Sequence, residues 1–257
     1  MYFLPKTAKI ISICIPTLFG ARTMKVAVLY SGGKDSTLAT YRAYRTGHEV
    51  VALITAVPRR QDSWMFHHPN TEHAGTQATC MGLPWVRVGL SGEKESEVGE
   101  LQRQIQPLIG TLGAEAICTG AIASRYQRER VARMCSELGL AELSPLWGEP
   151  EGSLLDELLD LGFEVYFSSV SAEGLGRDWL GARLDRARVQ SLLGLKERYG
   201  LNASGEGGEY ETFVCDSPLF RKRIKVVEAE VVWGRNSGTW NIRRLEMVEK
   251  RPPHQTG

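Results

Sequence analysis

The apolar run Val26-Ala27-Val28-Leu29-Tyr30 leads directly into Ser31-Gly32-Gly33-Lys34-Asp35-Ser36, and a helix-forming stretch begins near Asp35. A strand that turns on two glycines into a helix is the building unit of a parallel α/β sheet. The same junction is a place to put an anion. The glycines let a ligand approach the backbone closely. The open N–H groups and positive dipole end of the helix favour negative charge there, and Lys34 adds a cation. The loop is not a Walker A motif: Lys34 is followed by Asp35 rather than Ser or Thr, and the residue five before Gly33 is Val28.

All six loop positions match Ser-Gly-Gly-x-Asp-Ser, and the segment resembles the PP-loop of the ATP pyrophosphatases, which cleave ATP between the α and β phosphates to adenylate a substrate. The remainder of the N-terminal half fits a doubly wound sheet. Residues 35–45 read as a helix closed by Gly47. Val50-Val51-Ala52-Leu53-Ile54 is a continuous apolar run, as in a strand covered on both faces. Further strands are expected at 84–88 and 114–118. A helix is expected over 71–81, and a second over 93–112, with Leu101, Ile105, Leu108 and Leu112 inward and Pro107 as a kink. Ser124-Arg125-Tyr126-Gln127 reads as a capping box opening a helix that ends at Gly139, with Val131, Cys135 and Leu138 inward. Ligands of such sheets bind along the edge formed by the strand C-termini. Gly120 and the small residues around it are therefore expected beside Gly32 and Gly33.

The turn-rich stretch Ser144-Pro145-Leu146-Trp147-Gly148 changes the texture. The expected division is an extension over 1–23, an ATP-binding domain over 24–143 and a substrate-binding domain over 144–250. Residues 1–23 carry Lys6, Lys9 and an apolar run too short to span a bilayer. They are expected to be disordered or a start-site artefact. The second unit is expected to hold helices over 153–161 and 184–199 and strands over 163–170, 224–233 and 239–248.

Composition excludes several classes. The 257 residues carry 31 Lys+Arg against 30 Asp+Glu, which offers no general nucleic-acid or membrane surface. The five cysteines, Cys14, Cys80, Cys118, Cys135 and Cys215, are scattered and odd in number, as reduced thiols of a cytoplasmic protein are. His67, His68 and His73 lack partners at familiar ligand spacing, so structural or substrate-lining roles are preferred to a metal site.

A second motif, Gly205-Glu206-Gly207-Gly208-Glu209-Tyr210-Glu211-Thr212, reads as a mobile acidic loop whose carboxylates call for a cation: magnesium on pyrophosphate, a cationic substrate, ammonium or an arginine. Together with Trp64-Met65-Phe66-His67, Ser124-x-Tyr126-Gln127-Arg128-x-Arg130-Val131, Pro145-Leu146-Trp147 and Trp179-Leu180-Gly181, this chain resembles the diphthine–ammonia ligase family from Met24 to about Val248. The leader and His68 depart from the pattern.

The resemblance implies a parallel doubly wound nucleotide-binding domain of the HUP, adenine nucleotide α-hydrolase-like class, with a smaller C-terminal α+β domain. It also implies ATP-dependent amidation of diphthine on elongation factor 2 with ammonium, releasing AMP and pyrophosphate. A rival enzyme reading is a PP-loop enzyme that modifies transfer RNA; a rival of another class is a module that senses ATP without turnover. Expected nucleotide ligands are Ser31, Gly32, Gly33, Lys34, Asp35, Ser36, Gly120, Ser124, Arg125, Gln127 and Arg128. Expected substrate contacts are Glu206, Gly207, Gly208, Glu209, Tyr210 and Glu211. Lys34 and Asp35 carry the chemistry, with Glu209 or Glu211 as the base. Asp35 is the first choice as ligand for Mg2+, with Glu206 or Glu209 second. On helical spacing alone the basic run Arg125, Arg128, Arg130 and Arg133 reads equally as a solvated face. A homodimer stays open.

Overall fold

The computed structural model describes residues 22–58, 70–91 and 96–250; the Trp64-to-His67 motif, His68, Cys14 and residues 1–21 lie outside them. The first sheet contains β1 (Lys25–Leu29), β2 (Glu49–Pro58), β3 (Trp85–Leu90), β4 (Ala116–Cys118) and β5 (Ala141–Leu143). Its order is β3-β2-β1-β4-β5, with every pair parallel. The order reverses between β1 and β4. In doubly wound sheets that reversal opens a crevice at the strand C-termini, and both the PP-loop-like segment and the segment after β4 leave the sheet there.

Alternation along β1 divides the core. Ala27 faces one side, where Leu101, Ile105 and Ile109 of α3 (Glu97–Leu112) and Val131, Met134 and Cys135 of α4 (Arg125–Leu138) cover it. Val26 and Val28 face the other side, toward Leu38 and Ala39 of α1 (Lys34–Arg45) and Ala78 of α2 (Ala74–Met81). That second cluster continues without a break into the C-terminal unit through Phe163, Phe167, Tyr210 and Phe213. In α3 the buried series steps by four residues, so Ile109 is inward and Leu108 only half-buried, a correction to the expected face. The helix continues through Pro107 as one element.

The second sheet is antiparallel, with order β7-β6-β9-β8, built from β6 (Glu164–Val170), β7 (Tyr210–Asp216), β8 (Lys222–Trp233) and β9 (Gly238–Glu249). Helices α5 (Glu151–Asp160) and α6 (Arg186–Tyr199) pack on each other. Asp185 caps α6 by accepting from the Arg188 N–H at 2.8 Å. Trp179 packs edge-on to Phe167 at 4.9 Å, and Gly181 leaves no room for a Cβ beside the Trp240 indole. The Trp-Leu-Gly motif thus fixes packing in this unit.

The two sheets are tied together by backbone recognition. Asn70, held at φ 66°, donates to the Trp240 carbonyl at 2.9 Å and accepts from the Ile242 N–H at 2.9 Å. His73 Nε2 lies 3.1 Å from the Ile242 carbonyl. That contact occupies His73 on β9. Among the described residues no group of three or more His, Cys, Asp or Glu is arranged to hold a metal ion, and no helix is long and apolar enough to cross a membrane.

Cys80, Cys118, Cys135 and Cys215 are all buried and unbridged. Burial pushes their thiols up, to about 11 for Cys80 and about 12 for Cys118 and Cys135, and raises Cys215 as well. At pH 8 all four are protonated. A water-soluble thiol reagent is therefore expected to leave them unmodified in the native chain and to label them on denaturation; rapid native labelling at any of the four would contradict the packing described.

Candidate active site

The site is built where β1 ends. Gly32 adopts φ +88°, the left-handed region that glycine tolerates. The loop closes on itself: the Ser31 N–H donates to Ser36 Oγ at 3.3 Å, and the Gly33 N–H donates to Ser31 Oγ at 3.4 Å. Ser36 Oγ and Thr37 Oγ1 both donate to the Gly33 carbonyl, at 3.1 and 2.8 Å. These contacts line the first turn of α1 with hydroxyls and N–H groups.

Lys34 is buried at 3 % exposure. Its ammonium donates to both Asp35 carboxylate oxygens, at 3.0 and 2.8 Å, and to the Ser204 carbonyl, and lies 5.1 Å from the Tyr210 ring centre. The Asp35 side chain keeps 31 % exposure. Burial raises its carboxyl above the ordinary value; Lys34 opposes the shift, while Glu211 and Glu206 reinforce it.

The C-terminal unit completes the site through β7. The Lys34 N–H donates to Thr212 Oγ1 at 3.0 Å, and the Val214 N–H donates to the Gly32 carbonyl at 3.1 Å. Only Gly205 to Glu209 of the second motif form a loop. Tyr210, Glu211 and Thr212 already belong to β7, so the last three of the eight residues expected as a mobile loop are strand. Tyr210 is 2 % exposed, donates its hydroxyl to the Ala203 carbonyl at 2.7 Å and packs against Phe167. It supports the floor under Lys34 as buried packing.

Glu206 departs from its expected place as an open acidic contact. Its carboxylate accepts from the Ile122 and Ala123 N–H groups at 2.7 and 2.6 Å. That bidentate grip joins the acidic loop to the segment after β4. Gly120 in that segment lies so close to α1 that a Cβ there would stand 2.7 Å from Asp35 C and Ser36 N. Glu209 Oε1 accepts from the Asn202 N–H at 3.0 Å, and its Oε2 is buried without a partner. Gly207 and Gly208 are exposed at the loop tip.

Ser124 caps α4, accepting from the Gln127 N–H at 3.4 Å. Arg125 is exposed in the first turn. Arg128 is turned sideways, 4.4 Å over the Trp147 ring and 3.8 Å from Glu142, and that contact gives the Pro145-Leu146-Trp147 motif its place. The structure thus gathers residues 31–36, Gly120, Glu206, Glu209 and Tyr210 at one seam and sets Arg128 to its side. Thr212, Ser204 and Gln77 join the seam without having been picked out from sequence. Thr212 stood inside the quoted motif. Gln77 is a single amide in a helix of mostly small residues, with no local signal.

Charged donor–acceptor bonds of the Glu206 kind are worth more than neutral ones. Glu206→Ala is expected to lower any ATP-dependent turnover at least about tenfold and to lower Tm. Glu206→Gln, keeping one acceptor, should fall between; wild-type turnover in the Ala variant would show that the grip is dispensable.

Sequence comparison places the chain among known proteins. Residues 24–142 match the diphthamide synthase N-terminal domain, and residues 149–248 match the diphthamide synthase C-terminal domain. Proteins named diphthine–ammonia ligase from Bos taurus and Homo sapiens are 36% and 35% identical over 81% of this chain and 85% of their own length. The protein of that name from Schizosaccharomyces pombe is 36% identical over 90% of this chain, which spans 41% of that longer protein.

Proposed function

The chain belongs to the diphthamide synthase family, and on that premise we propose that it is an AMP-forming ligase that joins ammonia to the diphthine carboxylate of elongation factor 2 in the cytoplasm. The observation that carries the reading is the seam itself: a loop of the PP type whose Lys34 is held jointly by Asp35 and by the Ser204 carbonyl of the C-terminal unit. A site formed by both units suits a reaction in which ATP and a protein side chain must meet. The assigned division is an ATP domain over residues 24–143 and a substrate domain over 144–250.

A carboxylate does not react with ammonia at neutral pH, because oxide is a very poor leaving group. In the proposed reaction a carboxylate oxygen attacks the α-phosphorus of ATP, and pyrophosphate departs with the electrons of the broken P–O bond. Charge grows on that leaving group, so preorganised donors there lower the barrier most. The Lys34 ammonium charge, the N–H groups of the loop other than that of Lys34, which Thr212 holds, and the hydroxyls of Ser31 and Ser36 are those donors. Ammonia then attacks the acyl carbon, and AMP leaves with the former carboxylate oxygen. A base must take the proton that nitrogen sheds. Glu209 is assigned that role because its Oε2 has no partner.

Asp35 fits a single magnesium ligand: its side chain is partly exposed and its carboxyl is raised, chiefly by burial, so its charged form gains from a cation. The ion would neutralise phosphate charge when bound. Arg125, exposed at the first turn of α4, is the basic residue best placed to meet phosphate or an acidic partner surface.

The carboxylate-activation step has a direct test. With heavy oxygen in the diphthine carboxylate, one labelled oxygen is expected in the AMP phosphate; label retained wholly in the protein and water would contradict an acyl adenylate.

A further inference from the structure

Gln77 lies on α2, outside every motif, and is fully buried at 0% exposure. Its amide nitrogen donates to two carbonyls, that of Gly32 in the loop at 2.9 Å and that of Val214 in β7 at 2.8 Å. Both neighbours are acceptors, which fixes the nitrogen on that side. The amide oxygen is left buried with no partner, and an unmade hydrogen bond of this kind is costly. The side chain is therefore kept for its two donors.

We propose that Gln77 is a positioning residue for pyrophosphate binding, acting through the orientation of a single peptide group. The Gly32 carbonyl accepts from both Gln77 and the Val214 N–H, which draws it toward β7. In a trans peptide the C=O and the next N–H point in opposite directions, and the chain has no cis peptide bond among its described residues. Holding the Gly32 oxygen toward β7 thus turns the Gly33 N–H the other way, onto the hydroxyl side of the loop, where it donates to Ser31 Oγ. Glycine at φ +88° would otherwise let this peptide rotate. A Cβ on Gly32 would also strike the Gln77 amide oxygen, so a larger residue there would displace the side chain that holds the carbonyl. The inference rests on the nucleotide reading of the loop and adds the residue that sets one of its donors.

The test is calorimetric binding of pyrophosphate, ATP and adenosine to the full chain, with Gln77→Met, which keeps length and removes both donors, and Gln77→Glu, which sets a carboxylate against two carbonyl oxygens. For the Met variant, pyrophosphate and ATP are expected to weaken about tenfold while adenosine is unchanged; the Glu variant should lose more. Equal affinity for pyrophosphate, or the same loss for adenosine as for pyrophosphate, overturns the proposal. Wild-type chain is also titrated with pyrophosphate by NMR, which needs no variant to fold. The Gly33 amide is expected to shift with the bound anion, and an unmoved Gly33 signal at saturation overturns it. Wild-type chain that binds neither ATP nor pyrophosphate would instead bring down the nucleotide reading, and this inference with it.

Discussion

Lys34→Met is expected to lower ATP-dependent AMP formation by about a hundredfold to a thousandfold, the cost of removing one preorganised donor from a developing charge. The site magnifies the loss. Lys34 is buried and makes three contacts, to both Asp35 oxygens and to Ser204, so no water or other cation takes its place at low cost. Its removal takes away the nearest counter-charge of Asp35, whose charged form burial, Glu211 and Glu206 already disfavour. Methionine keeps the apolar stem over Tyr210 and preserves the packing. The variant should remain folded by circular dichroism while its turnover collapses. Turnover within about threefold of wild type would remove Lys34 from the chemistry, because loss of a catalytic donor falls well outside that range.

Gly120→Ala is the second large effect, and it acts through space alone. The new methyl group would stand 2.7 Å from Asp35 C and Ser36 N, which are backbone atoms with no rotamer to escape through. Either the segment after β4 or the first turn of α1 must move. Overpacking of this kind costs about 1–3 kcal/mol of stability. It also parts the PP-loop-like segment from the Ile122 and Ala123 N–H groups held by Glu206. Chemical denaturation and ATP titration should therefore worsen together. Gly110→Ala is the control, since that exposed helical glycine has nothing within 4 Å of a Cβ. It should be neutral or stabilise by about 0.5–1 kcal/mol. A neutral Gly120→Ala would contradict the close approach of the two strand-to-helix turns.

How much of the fold is legible in the residues alone depends on the range of the forces involved. The strand–loop–helix around Ser31 to Ser36 was legible because each feature is local: an apolar run, two glycines and a helix start. The caps at Ser124 and Gly139 were legible for the same reason. β5 has three residues, too few for any period to register. β7 is hidden because its first residues, Tyr210 to Thr212, look like the end of an acidic loop; only pairing with β6, more than 35 residues earlier, makes them strand. The motif marks Glu206 as important without revealing its contacts, since its partners are backbone N–H groups more than 80 residues away. Gln77 left no mark at all. Its partners lie 45 and 137 residues distant, and nothing near it in sequence announces a buried amide.

The central claim is that both units cooperate to turn a carboxylate into an amide with AMP as the by-product. The direct measurement combines purified chain, magnesium, ATP and ammonium, with and without elongation factor 2 carrying diphthine, and follows AMP release together with the mass of the modified histidine. The account predicts AMP only when both co-substrates are present, in step with conversion of the acid to the amide. ATP binding without AMP under those conditions, or AMP formed with no change in the histidine, would contradict it.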